Sequence, residues 1–247
     1  MKQVFLRFYA ELNDFLPPER RMVEFPHAFL VPTPVRDIIE SAGVPHTEVD
    51  LILVNGRSVD LSHVIEDGDR ISVYPVFESL DITPVLRVRP KPLRRPRFVL
   101  DVHLGRLAAY LRMVGFDALY RNDYTDPELA AAASDGGRIL LTRDVGLLKR
   151  STVTHGYYVR ETSPRRQLEE VLRRFDLFRL VEPFARCMVC NGVLRVAEKE
   201  SVKDALPPKI SEAHTEFLSC ESCGRVYWKG DHYDRMRRLI EDLAAGR

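Results

Sequence analysis

All four cysteines of this 247-residue chain fall in two C-x2-C pairs, Cys187 and Cys190 in "CMVC" and Cys220 and Cys223 in "CESC", with 29 residues between the pairs. No other feature limits the fold as tightly. A C-x2-C loop turns two thiolates toward one centre, and two such loops complete a tetrahedron around Zn2+. Gly192 and Gly224 follow the pairs, as tight turns with inward-pointing amides require. Four thiolates leave no open coordination position, so the expected zinc is structural rather than catalytic. Two disulfides are the alternative, and a cytoplasmic setting opposes them. A ribbon of this size has little core, so metal should supply much of its folding free energy. Next to the second pair, "RVYWKG" places Tyr227 and Trp228 between Arg225 and Lys229. The aromatics could stack on RNA bases, or they could cover the ribbon's thin core. The last segment reads as an amphipathic helix with Met236, Leu239, Ile240 and Leu243 on its apolar stripe.

Upstream, the chain divides by pattern. Residues 1–80 open with the alternating "VFLRFYAEL". A helix is predicted at "TPVRDIIESAG", with Thr33 as N-cap, Pro34 at the first helical position and Gly43 past the end. "LILVNG" gives a strand and an Asn-Gly turn, and "EDGDRISVYPVF" a turn and a closing strand. The expected order is ββαββ, a small α+β domain. Residues 81–96 form a proline-rich joint. Between Arg87 and Arg97 it carries six Lys/Arg and no acid, either a phosphate-contacting strap or a soluble linker. Formal charge is uneven: residues 1–85 hold seven basic and fourteen acidic residues, a net of −7, and the remainder a net of +8. The basic rear points to a polyanionic partner, with mutual attraction of the two parts as the alternative. No apolar run approaches the ~18 residues of a membrane helix, and "MKQVFLRFYAEL" lacks a signal-peptide core. A cytoplasmic protein with no membrane partner is expected.

From Arg97 to residue 180, strands and helices alternate. "RFVLD", "FDALY", "RILLT" and "GYYVR" read as strands. "HLGRLAAYLRMVG", "DPELAAAASDGG", "DVGLLKR" and "SPRRQLEEVLRRF" read as helices. Such alternation implies a parallel sheet with helices on both faces. Ligands of open α/β sheets bind beyond the carboxyl ends of the strands, where the winding reverses. Asp101 ends the first strand and Asp144 follows the third. With a 2-1-3-4 strand order these two would project into one cleft, and Asp123 and Asp126 could close it from the side. Crowded carboxylates repel unless a cation intervenes, and a hard ion such as Mg2+ or Mn2+ takes oxygen ligands and retained waters. Arg106, Arg112, Arg143 and Lys149 are placed in sequence to contact phosphates. Each Asp also has a plainer reading: Asp126 and Asp144 precede helical turns as caps, and Asp123 is a solvated loop residue.

Two resemblances add to this reading. "LILVNG" and "EDGDRISVYPVF" resemble the ubiquitin-like fold of ThiS/MoaD sulfur carriers. The closing strand runs on into "ESLDITPVL" without the terminal Gly-Gly that carrier chemistry needs, so the front part reads as a docking or stabilising module. "D-x-x-LGRLA-x-YLR-x-x-GFD" and "ILLTRD-x-x-LL" resemble the Mut-seven C-terminal (Mut7-C) RNase family, a branch of the PIN-like nucleases, across roughly residues 97–228. A ubiquitin-like module occurs fused to that family. By position the resemblance implies Asp101 and Asp144 as metal ligands and Asp126 or Asp123 as a third carboxylate. It also implies that the Thr142 hydroxyl supports Asp144. The Glu that many PIN nucleases carry on a central helix has no clear equivalent, Glu128 being the nearest.

The expected architecture is α/β. A PIN-like parallel sheet core (97–180) lies between an N-terminal ubiquitin-like α+β domain (1–80), joined through 81–96, and a zinc ribbon with a C-terminal helix (181–247). The expected activity is metal-dependent hydrolysis of RNA, a tRNA or another structured RNA, with a protein partner at the ubiquitin-like domain. The rival expectation is a non-catalytic RNA-binding or translation-associated adaptor, and a third is a sulfur carrier in RNA modification.

Overall fold

The computed structural model describes residues 1–75, 87–88 and 96–245. The joint expected at 81–96 lies almost wholly outside the described residues. Two compact units emerge: Met1–Arg95 with Asp126–Tyr158, and Pro96–Thr125 with Val159–Arg247.

In the first unit, β1 (Lys2–Phe8), β2 (Phe25–Phe29), α1 (Val35–Ser41), β3 (Leu51–Val54), β4 (Arg57–Val59) and β5 (Arg70–Tyr74) form the front module. Its sheet has the order β2-β1-β5-β3-β4. β1 and β5 are parallel, and the other pairs are antiparallel. Val4, Leu6 and Phe8 recur at period two on β1 and join Val35, Ile38 and Ile39 of α1 in one buried cluster. The order is ββαβββ against the expected ββαββ. No strand was expected over β2, whose Pro26 lacks a ladder donor and argues against a strand in sequence. An edge position tolerates it. Asn55 and Gly56 both take positive φ between β3 and β4, as the Asn-Gly turn predicts. α1 begins at Val35 with Pro34 in the cap position. Thr33 is therefore not the cap, and its hydroxyl donates to the Val31 carbonyl.

The alternating segment supplies β6 (Phe98–Leu100), α2 (Gly105–Met113), β7 (Ala118–Leu119), α3 (Asp126–Gly136), β8 (Ile139–Thr142), α4 (Val145–Leu148), β9 (Gly156–Tyr158) and α5 (Pro164–Arg174). β6 runs parallel to β7, and β8 runs parallel to β9. Leu104, Leu107, Ala108 and Leu111 are buried, as the helical spacing predicts. Gly115, at φ 98, ends α2 where a Cβ would collide with the Glu182 carbonyl oxygen.

Segment 126–158 groups with the front module through a polar joint. His46 sits between a Glu40 carboxylate oxygen at 2.5 Å and the Val153 carbonyl at 2.9 Å. Glu48 accepts the Tyr158 amide of β9 at 2.6 Å, and Phe15 meets Tyr158 edge-on. His46, Thr47 and Glu48 are all buried.

In the second unit the cysteine segment forms an antiparallel sheet β10-β11-β12 from Leu194–Ala197, Phe217–Cys220 and Val226–Trp228. Two short helices, α6 (Lys199–Val202) and α7 (Pro208–Ala213), lie between β10 and β11, and α8 (Asp231–Ala245) follows β12. Tyr227 packs beside Cys187, Leu194 and Cys220, and Trp228 packs beside Val202, Leu206 and Phe217. Both aromatics therefore cover the ribbon core. Met236, Leu239 and Ile240 are half-buried on α8. Among the described residues no helix is long and apolar enough to cross a membrane.

Candidate metal centre and strand-end aspartates

The two C-x2-C segments are one turn built twice. The Cys187 amide donates to the Gly192 carbonyl and the Asn191 amide to the Cys187 carbonyl. The Cys220 and Gly224 amides repeat this with Arg225 and Cys220. Each turn needs a left-handed residue directly after its second cysteine, and Asn191 and Gly224 both take φ 69. Gly192 serves a different purpose from the expected tight turn. A Cβ there would lie 2.7 Å from Cys220 Sγ.

All four sulfurs lie within 4.8 Å of one another. Cys187 and Cys223 are 3.7 Å apart, and Cys190 and Cys220 3.3 Å. Zn–S bonds of about 2.3 Å in a tetrahedron place sulfurs about 3.8 Å apart, so the donor set fits zinc. The electrostatics agree. Burial pushes the Cys187 thiol up, but hydrogen bonds from the Tyr227 hydroxyl and from the Cys190 and Val189 amides outweigh it and hold it at about 6. Burial and the neighbouring thiols push Cys190 up to about 12. Without metal the four groups cannot all ionise, and a divalent cation removes that conflict. Burial and Cys187 push the Tyr227 phenol up, so its hydroxyl remains a donor to Cys187 Sγ at 3.1 Å. Among the described residues this is the one group of three or more His, Cys, Asp or Glu side chains drawn closely enough together to share an ion.

The strand-end aspartates are individually well placed. Asp101 follows β6, is buried, and accepts the Val102 amide at 2.6 Å on Oδ1. Asp144 is exposed and caps α4, accepting the Gly146 and Leu147 amides on Oδ1 at 2.7 and 3.3 Å. Its own amide donates to Thr142 Oγ1 at 2.9 Å, and Thr142 is fully buried at the end of β8. Asp123 is exposed and paired through both oxygens with Arg121, which holds its carboxyl below the usual range. Asp126 is the first residue of α3 rather than the residue capping it, and Arg150 reaches its Oδ2 at 3.2 Å.

Two of the basic residues expected at a phosphate serve the fold instead. Arg112 is 4 % exposed. Its Nε donates to the Ala118 carbonyl, and its Nη1 to the Met188 and Val189 carbonyls. Lys149 is half-buried and donates from Nζ to the Glu40 carbonyl at 2.7 Å, at the carboxyl end of α1. A local pattern of basic residues near acids does not reveal burial, and burial decides both cases. Arg106 is exposed on α2, and Arg143 is half-buried. Sequence reasoning also missed Asn191. Its Oδ1 accepts the Ala118 amide and its Nδ2 donates to Asp117, which ties the first cysteine turn to β7. The one available signal was an Asn where the twin turn has Gly.

The family model described as the Mut7-C RNAse domain matches residues 96–240, and the one described as Mut7-C ubiquitin matches residues 1–81. No curated protein and no solved structure matches the chain significantly. The RNAse-domain match covers more than half of the residues, takes in both cysteine turns and both strand-end aspartates, and meets a five-stranded front module of the matching kind: the chain belongs to the Mut7-C RNAse family.

Proposed function

We propose that the chain is a metal-dependent ribonuclease that hydrolyses RNA phosphodiester bonds. The RNAse-domain match over residues 96–240 carries this reading. Asp101 and Asp144 would hold Mg2+ or Mn2+, with Asp126 or Asp123 as a third carboxylate. Hard oxygen donors suit such ions, which commonly take only one or two carboxylates beside waters and substrate phosphate. When bound, the ion supplies an acidified water and neutralises charge on the phosphate. The chain's own contribution is orientation. The two amides on Asp144 Oδ1 and the Thr142 hydroxyl on its backbone hold that carboxylate in one rotamer. Arg143 and exposed Arg106 would meet phosphate oxygens. The exposed ion pairs of Asp123 and Asp126 are weak enough to yield to a metal. Zn2+ in the four-cysteine centre would be structural, and the unpaired thiols suit a reducing compartment such as the cytoplasm. A protein partner at the ubiquitin-like module would find Leu30 and Val31 exposed. Domain limits at 1–80, 81–96, 97–180 and 181–247 are part of this proposal, in line with matches at 1–81 and 96–240.

The test is cleavage of defined RNAs, tRNA included, with and without Mn2+. Asp144→Asn and Asp101→Asn are informative because Asn caps a helix about as well as Asp, so charge is lost while the fold is kept. The expected loss is on the order of a hundredfold or more. Binding without cleavage across all RNAs would favour the adaptor reading instead.

A further inference from the structure

We propose that Arg112 is the counter-cation of the four-cysteine zinc centre and that, through it, metal loading and the folding of β7 are coupled. This rests on the zinc reading. A guanidinium stays charged in proteins, and removing it from water is costly unless an anion compensates. Arg112 is nearly inaccessible, yet its hydrogen bonds all end on neutral carbonyls, those of Ala118, Met188 and Val189. The Met188 and Val189 carbonyls lie between Cys187 and Cys190, so the guanidinium is seated on the turn that carries the first thiol pair. Four thiolates around one Zn2+ carry a net charge of −2, which is the missing compensation.

The geometry links the two more closely than distance alone. The Met188 carbonyl and the Val189 amide belong to one peptide unit, and the Val189 carbonyl and the Cys190 amide to the next. Arg112 grips the oxygen ends of both units, and their N–H ends point at Cys187 Sγ. Two peptide dipoles therefore stand aligned between a cation and a thiolate, an arrangement in which each hydrogen bond polarises the next. The third bond of Arg112 goes to Ala118 O, and Asn191, beside Cys190, takes Ala118 N–H. β7 is only Ala118–Leu119 long. Both backbone groups of Ala118 are thus held by side chains that the cysteine turn positions. Arg112 is a positioning residue for the metal, and the first cysteine turn is a scaffold for β7.

The experiment measures zinc content and zinc release to a chelator, together with the thiolate-to-metal charge-transfer bands of the Co2+-loaded full chain. The expected outcome for Arg112→Gln is about 10- to 100-fold weaker zinc retention and a red shift of the Co2+ bands, because the thiolates lose a stabilising positive charge. Arg112→Lys, which keeps the charge and not the fork, is expected to lie between. Wild-type retention with unshifted bands in Arg112→Gln overturns the proposal. Should that variant not fold, hydrogen exchange on the wild-type chain decides. Stripping zinc is expected to expose the Ala118 amide together with the cysteine turns. Loss of protection confined to the ribbon, with Ala118 still protected, overturns the coupling. A chain that binds no zinc refutes the zinc reading and this proposal together, whereas normal zinc content with unaltered Arg112→Gln refutes this proposal alone.

Discussion

Thr142 has no access to solvent, and its hydroxyl accepts the backbone amide that aims Asp144. Thr142→Val keeps the shape and removes the acceptor, leaving that amide without its partner. The expected cost is about 1–3 kcal/mol, read from urea unfolding, with a fall in RNA cleavage beyond what the remaining folded fraction explains. Asp144→Asn is expected to behave oppositely, with stability nearly unchanged and cleavage lost. At this scale the sequence was most legible where the interaction is local. The T-x-D turn and the cap at Asp144 span six residues, Thr142 to Leu147; position before a helical turn predicts the cap, and the family resemblance implies the turn. Arg112 and Lys149 were misread because their partners, the Met188, Val189 and Glu40 carbonyls, lie 76, 77 and 109 residues away.

Edge strands expose unpaired backbone groups, and in this fold distant side chains meet them. β7 is held by Asn191 and Arg112, and β9 by Glu48. Glu48→Ala leaves the part-buried Tyr158 amide without its carboxylate. A loss of about 1–3 kcal/mol and faster exchange at that amide are expected. In the front module His27 hydrogen-bonds Ser41, and burial, then the charge of Arg20, lowers its pKa from the usual 6.5. A lowered histidine pKa means that the unfolded chain binds the proton more readily. Stability is therefore expected to fall as pH drops through and below about 6.5. Thermal melts from about pH 7.5 to about pH 5 should show this slope, and His27→Gln should flatten it. Among the elements, β2 was not legible, because Pro26 disguises an edge strand, whereas α2 was, because its apolar face repeats every three to four residues.

Over the whole chain, charge is divided between an acidic front of −7 and a basic remainder of +8. If the basic remainder contacts RNA phosphates, affinity must fall with salt. Three contacts to a single strand predict about a tenfold or greater loss between about 50 and about 200 mM, measurable by fluorescence anisotropy. A salt-independent affinity would remove the electrostatic reading. The sequence by itself determined the alternation of strands and helices, the acids that end β6 and β8, and the paired cysteine turns. Each of these rests on residues within a few positions of one another, where backbone geometry dictates spacing. Only the tertiary structure decided which charges are buried, which side chains close the strand edges, and that segment 126–158 groups with the ubiquitin-like module. Desolvation and hydrogen-bond satisfaction depend on what arrives from far along the chain, and no local pattern encodes that.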